Sequence, residues 1–277
     1  MNNREPLSFL VTKEYRRFCE FCEACRRYKY VGLCFGVPGV GKTLSARQYA
    51  RWDRIEPHLS GYPKRDSSGE IVPLPEEIST HHALFYTTPV SVTPGRIERE
   101  VNWLHRKLNC LAYTKISMSE EGKRLYPDPF TFPNHVELMI VDEAERAKMA
   151  GLEQLRDFYD HLEIGLVLIG MRGLEKQIAR HPQFYSRVGF VHEFRPLSAE
   201  ETRFILEHKW EDLGTAIDYD DFTDTEAVAS VVRITGGNFR LIQRLCSQIA
   251  RLMEINETKV ITKELVEAAQ QSLIIGS

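Results

Sequence analysis

Eight residues restrict this 277-residue chain more than any others: Gly36-Val37-Pro38-Gly39-Val40-Gly41-Lys42-Thr43, which read G-x-x-x-x-G-K-T. They follow an apolar run from Val31 to Phe35, so the pattern predicts a buried strand, a glycine loop and then a helix opening near Lys42. Glycine reaches backbone angles closed to other residues, which lets main-chain N–H groups turn inward around an anion. Lys42 adds a point charge, the helix adds its positive end, and Thr43 adds a hydroxyl suited to Mg²⁺. A chance glycine turn would not need strand, loop and helix in this order. The spacing therefore predicts a nucleoside triphosphate site, with ATP the expected ligand, over these eight residues and Leu44.

A second stretch supplies the complementary charge. Leu138-Met139-Ile140-Val141-Asp142-Glu143 places two carboxylates at the end of an apolar run that begins at Val136. Ligands of open α/β sheets bind at this carboxyl edge. Asp142 is suited to hold Mg²⁺ through its water shell, and Glu143 to orient and deprotonate the water that attacks the γ-phosphate.

Around these motifs the chain alternates strand and helix, which predicts a parallel sheet covered on both faces. Strands are expected at Tyr30 to Phe35, Ala83 to Thr87, Val136 to Val141, Gly165 to Ile169 and Val191 to Phe194. Helices are expected over Glu14 to Tyr28, Lys42 to about Arg54, and Arg96 to about Leu111. Residues 56–80 and 115–134 are rich in proline, glycine and polar residues and are expected as long loops. From Ser198 onward only helical patterns remain, two of them opened by Ser198-x-x-Glu201 and Thr223-x-x-Glu226 capping boxes, with further helices over about Phe239 to Met253 and Thr262 to Leu273. The expected architecture is a five-stranded α/β domain over residues 1–197 and a small all-α domain over 198–277.

No apolar run reaches the length of a membrane span, and the N-terminus lacks a signal-peptide core, so a cytoplasmic protein with no membrane partner is expected. The formal net charge of -3 is uneven: residues 198–277 hold 8 Lys/Arg against 14 Asp/Glu, leaving 28 against 25 before them. A nucleic-acid face, if the chain has one, belongs to the larger N-terminal part. Cys19, Cys22 and Cys25 have a metal-like spacing, yet Phe18, Phe21, Cys22 and Cys25 also form one apolar helical stripe, and packing explains them better.

Gly36 to Thr43, Asp142-Glu143-Ala144-Glu145 and Thr235-Gly236-Gly237-Asn238-Phe239-Arg240 together resemble an AAA+ ATPase. Within that superfamily the chain resembles the TniB, TnsC and MuB group of transposition regulators. The resemblance implies a P-loop ATPase domain followed by a helical lid, with ATP and Mg²⁺ as cofactors. It also implies a homo-oligomer, ring or filament, on double-stranded DNA, with a transposase and a target-selection protein as partners. Arg240 matches the arginine that reaches the γ-phosphate from the lid. Arg187, in Tyr185-Ser186-Arg187-Val188, matches a finger acting in trans on the neighbouring subunit's nucleotide. DNA contacts are implied for the region holding Arg96, Arg99, Lys115, Lys123 and Arg124, where seven Lys/Arg stand against four Asp/Glu between Arg96 and Arg124. A solvated helix face suits the same cations. One position departs from the pattern: after the fourth strand, where Thr or Asn is common, the chain reads Gly170-Met171-Arg172. Either Arg172 substitutes there or hydrolysis is slow until a partner stimulates it. A helicase loader, or a secretion or signalling switch that never touches DNA, are the competing functions.

Overall fold

The computed structural model describes residues 9–61, 66–121 and 134–273. Along the chain the elements are α1 (Lys13–Tyr28), β1 (Val31–Phe35), α2 (Lys42–Tyr49), α3 (Trp52–Leu59), α4 (Glu77–Thr80), β2 (Ala83–Thr87), α5 (Pro94–Glu121), β3 (Leu138–Asp142), α6 (Lys148–Leu162), β4 (Gly165–Gly170), α7 (Leu174–Ala179), α8 (Pro182–Tyr185) and β5 (Val188–Glu193), then α9 (Ala199–Asp212), α10 (Phe222–Thr235), α11 (Phe239–Ile255) and α12 (Lys263–Gln271). They pack into two compact units, one of Arg17–Gly36 with Lys42–Glu193, the other of Val37–Gly41 with the chain from Phe194 and the chain before Arg17.

The first unit is built on one parallel five-stranded sheet in the order β2-β3-β4-β1-β5. Every residue of β3 and β4 is buried, which is why both read as unbroken apolar runs. Register aligns Leu33 with Leu168 and Ile140 with Val167, so the ends of β1 and β3 fall on the same carboxyl edge. Strand β5 is an edge strand in which Val191 is 59% exposed. It begins at Val188, earlier than expected, because its half-exposed residues break the apolar run that marks the other strands. The stripe of α1 is buried as its spacing requires: Phe18, Cys22 and Cys25 are shut off from solvent, and the Phe21 ring stacks on His192 of β5 at 5.4 Å. All six cysteines are free thiols, and among the described residues no three His, Cys, Asp or Glu side chains are placed to hold a metal by themselves.

Three boundaries differ from the sequence expectation. The helix expected to run to Arg54 is broken into α2 and α3 at Arg51, whose φ of 50° is left-handed. Helix α5 continues to Glu121 instead of giving way to a loop near Lys115, because its apolar stripe extends through Leu111 and Ala112 and no glycine or proline intervenes before Gly122. The stretch 56–80, expected as loop, holds the end of α3 and all of α4.

The second unit is helical. Ile205, Leu206, Trp210, Val231, Ile242 and Ile249 lie at the centre of its core. The Ser198 capping box forms as expected, with Glu201 N donating to Ser198 Oγ at 3.1 Å and Ser198 N to Glu201 Oε2 at 3.0 Å. The expected Thr223 box does not form. Asp221 caps α10 instead, accepting from Thr223 N at 2.7 Å, because a carboxylate one residue before the helix already meets the first free N–H.

Histidines gather at the amino edge of the sheet. The His82 and His135 rings lie 4.4 Å apart, and His105 Nε2 meets Asn134 Oδ1 at 3.0 Å. Burial holds His81, His105 and His135 below the ordinary histidine value of 6.5, with Arg51 adding to the effect at His81 and His82 at His135. Because the folded chain prefers these rings neutral, their contribution is complete above pH 6.5 and is lost as pH falls through that value. Thermal unfolding followed by circular dichroism should show Tm falling by roughly a few degrees from pH 7.5 to 5.5. A Tm that stays level or rises on acidification would contradict this assignment.

Candidate nucleotide site

In the α/β unit, β1 ends at Phe35 and α2 begins at Lys42, so the lysine side chain starts at a helix N-terminus. Its Nζ donates to the Gly36 carbonyl at 2.7 Å, which folds the side chain back over the loop. Burial lowers the Lys42 pKa, opposed by neighbouring groups that include Asp142, Glu145 and Glu143. Thr43 Oγ1 donates to Asp142 Oδ2 at 2.6 Å, joining two residues 99 positions apart. Asp142 is 3% exposed, and burial raises its pKa while the Thr43 hydroxyl and the Glu143 N–H pull it back. Val40 is buried, whereas Leu44 is 40% exposed.

Glu143 follows at φ 53°, ψ 39°, a left-handed conformation that costs a non-glycine residue about 1 kcal/mol or more. Its N–H donates to Asp142 Oδ1 at 2.9 Å. The next four residues form a 3₁₀ turn, in which side chains three apart eclipse. Arg146 therefore meets Glu143, with Nη2 3.4 Å from Oε1, and its Nη1 donates to the Thr88 carbonyl at 3.2 Å. Sequence reasoning missed Arg146, whose only signal was its place three residues after Glu143.

In the helical unit the loop segment Val37–Gly41 is held by the start of α11. Asn238 Nδ2 donates to Pro38 O at 2.8 Å, and Arg240 N donates to Gly39 O at 2.9 Å. Gly39 has a φ of +82°, and a Cβ there would come within 2.6 Å of Asn238 Oδ1, so this position admits only glycine. Asn238 also caps α11 through Leu241 N. Arg240 has its side chain exposed and its Cβ beside Gly39. The Gly-Gly-Asn-Phe-Arg motif thus grips the phosphate loop through backbone carbonyls, a role its sequence did not suggest.

The donor set fits a hard divalent cation: a hydroxyl and a buried carboxylate 2.6 Å apart, beside two further carboxylates, Glu143 and Glu145. Mg²⁺ takes one or two protein oxygens and completes its shell with water and phosphate oxygens, so Thr43 and Asp142 suffice. Bound there, it would neutralise phosphate charge against this acidic edge.

Arg187 lies elsewhere. Its carbonyl accepts from Val31 N, the first residue of β1, which puts it at the amino edge of the sheet. The five residues of β1 span roughly 16 Å, so its own Lys42 and Glu143 lie at the far edge. The guanidinium is held by Asp160 Oδ1 at 2.8 Å and by Gln183 O at 2.6 Å. Arg172 pairs with Glu193 at 2.8 Å, and Met171 presents a half-exposed side chain. On α5, Arg96 pairs with Glu100 at 2.7 Å and Lys115 with Glu76 at 2.5 Å, while Arg99 is exposed. Lys123 and Arg124 lie outside the described residues. The same helix exposes Trp103 by 51%, which sequence reasoning passed over.

Known proteins resemble this chain in sequence and in fold. A Staphylococcus aureus protein described as a potential ATP-binding protein is 42% identical over 271 residues, covering 97% of each chain. The Thermotoga maritima RuvB Holliday junction branch migration motor superposes with a TM-score of 0.56 at 17% identity, over 96% of this chain and 70% of that one. The Aeropyrum pernix ORC1 protein in complex with DNA superposes with a TM-score of 0.56 at 20% identity, over 95% and 65%. The AAA domain model matches residues 25–178, from the end of α1 through β4 and into α7, and the chain therefore belongs to the AAA domain family.

Proposed function

We propose that this protein is an ATP-hydrolysing AAA+ switch that assembles head to tail on double-stranded DNA and regulates transposition by recruiting or activating a transposase. The observation that carries the mechanism is the placement of Arg187 on the sheet edge opposite Lys42, Thr43, Asp142 and Glu143. A guanidinium there cannot serve its own nucleotide, but it can serve a neighbour's. Each turnover begins with water losing a proton to Glu143 as its oxygen bonds to the γ-phosphorus and the bond to the ADP oxygen breaks. Lys42 in one chain and Arg187 from the next meet the charge that develops, and the motif resemblance assigns Arg240 the same task. Releasing Arg187 costs its exposed pair with Asp160, which is weak in solvent. Self-association is further supported by exposed aromatics on this edge: Tyr28 is 59% and Tyr185 54% exposed, and the Tyr30 ring lies 5.9 Å from Phe190.

DNA binding is supported by the exposed face of α5. Arg99, Trp103 and Arg106 share it at helical spacing, and no Asp or Glu occurs between Glu100 and Glu120. Phosphate contacts of this kind tolerate many sequences, as a target selector requires. The transposase and target-selection partners rest on motif resemblance to the TniB, TnsC and MuB group. Of the proteins whose fold this chain shares, RuvB is described as a Holliday junction branch migration motor and ORC1 in complex with DNA. The ion pairs of Arg96 and Lys115 favour a second reading, a nucleotide switch that loads a helicase or regulates secretion or signalling without touching DNA.

Tryptophan fluorescence separates the two. Trp52 and Trp210 are buried to within 2% of full burial, so quenching by an external ligand reports Trp103. Duplex DNA with a slowly hydrolysed ATP analogue should quench the emission, less so as salt rises, and Arg99→Ala with Arg106→Ala should weaken binding about tenfold or more. An unchanged spectrum together with no salt-dependent DNA shift would leave the second reading standing.

A further inference from the structure

Two successive carbonyls of the phosphate loop are taken up by the first turn of α11. Pro38 O accepts from Asn238 Nδ2 at 2.8 Å, and Gly39 O accepts from Arg240 N at 2.9 Å. In a trans peptide unit the C=O and the N–H point in opposite directions, and neither of these two bonds precedes a proline. The unit that carries Pro38 O also carries Gly39 N, and the unit that carries Gly39 O also carries Val40 N. With both carbonyls drawn toward α11, the Gly39 and Val40 N–H groups are directed away from that helix, and main-chain amides of this loop are the groups that close around phosphate oxygens.

Asn238 is itself held on three sides. Its N donates to Thr235 O at 2.9 Å, and its Oδ1 accepts from Leu241 N at 3.3 Å as the cap of α11. The preceding Gly237 accepts from Leu197 N at 2.9 Å, so closely that a Cβ on it would strike the Leu197 carbonyl. The amide oxygen is thus occupied by the cap, and the amide nitrogen is delivered to Pro38 O at a set place.

We infer that Asn238 is a positioning residue for nucleotide binding: by holding Pro38 O it sets the Gly39 N–H toward the phosphates before ATP arrives. Donors ordered during folding bind a ligand more tightly, because the complex no longer has to order them. Arg240 N treats the next peptide unit in the same way whatever side chain residue 240 carries, so Asn238 is the member of the pair whose contribution a substitution removes. The inference rests on the phosphate-loop reading of Gly36 to Thr43.

The test is isothermal titration of the full chain, parent and Asn238→Ser, with ATP and with inorganic tripolyphosphate, each with Mg²⁺. Serine caps a helix as well as asparagine does, but its hydroxyl is one bond short of the Nδ2 position. Asn238→Ser should weaken both ligands by the same factor, about fivefold, the scale of one hydrogen bond. In steady state KM for ATP should rise by that factor while kcat stays within about twofold of the parent. If Asn238→Ser does not fold, Asn238→Thr, a second capping residue without the amide, takes its place. Parental affinity for both ligands in the capping variant overturns the proposal, since a residue that only caps α11 is replaced by serine without loss. A fall in ATP affinity that spares tripolyphosphate overturns it too, because the loop amides meet phosphate alone. A parent chain that binds neither ligand would instead remove the phosphate-loop reading, which separates failure of that reading from failure of this one.

Discussion

Lys42→Ala is expected to lower ATP affinity at least about a hundredfold, because a phosphate loop that loses its ammonium would lose the charge-assisted contacts to the β- and γ-phosphates and keep only its backbone dipoles. The lysine is placed for this by the first turn of α2, and Gly36 O holds its Nζ at 2.7 Å above the loop. Burial lowers its pKa, offset in part by neighbouring groups, Cys34 first and then Asp142, Glu145 and Glu143. Isothermal titration with ATP and Mg²⁺ gives the number. Affinity equal to that of the parent would remove the phosphate-loop reading altogether.

Glu143→Gln should behave differently, binding ATP with near-parental affinity and hydrolysing it at least about a hundredfold more slowly, the usual scale of losing a general base. The carboxylate sits at the end of β3 on a left-handed residue, with its backbone N–H tied to Asp142 and its side chain 3.4 Å from Arg146. Glutamine keeps that shape and removes only the basicity. Steady-state phosphate release measured beside nucleotide affinity separates the two effects, and near-normal turnover would return Glu143 to a structural role.

Much of this site could be read from the chain, for an identifiable physical reason. The phosphate loop and the Asp142-Glu143 pair are local: a loop needs its glycines, and a buried strand needs its apolar run, within eight or ten consecutive residues. The sheet was legible on the same grounds, since β3 and β4 are buried on both faces and carry no polar interruption. Strand β5 was misplaced because an edge strand has no such run. The length of α5 was underestimated because the polar residues after Leu111 look like loop. What could not be read is whatever depends on folding distant segments together. Asn238 meets Pro38 across 200 residues, and no spacing rule announces it. Glu145 stands in plain view in Asp142-Glu143-Ala144-Glu145, yet its packing against Gly170 is visible only in the fold. Trp103 was passed over because periodicity identifies the buried face of a helix more readily than it explains an exposed aromatic.

The central claim is that each active site is divided between two chains, with Arg187 donated to the neighbour that supplies Lys42, Asp142 and Glu143. It is tested most directly by mixing Arg187→Ala and Glu143→Gln proteins. Each alone should bind ATP and hydrolyse little, the first because no chain donates the guanidinium and the second because no chain holds the base. In a randomly mixed one-to-one, head-to-tail assembly about a quarter of the interfaces pair an intact Arg187 with an intact Glu143. ATP turnover of the mixture, measured on duplex DNA while tagged subunits are shown to exchange, should therefore rise well above the sum of the separate proteins. Turnover equal to that sum, with exchange demonstrated, would contradict a site shared between chains.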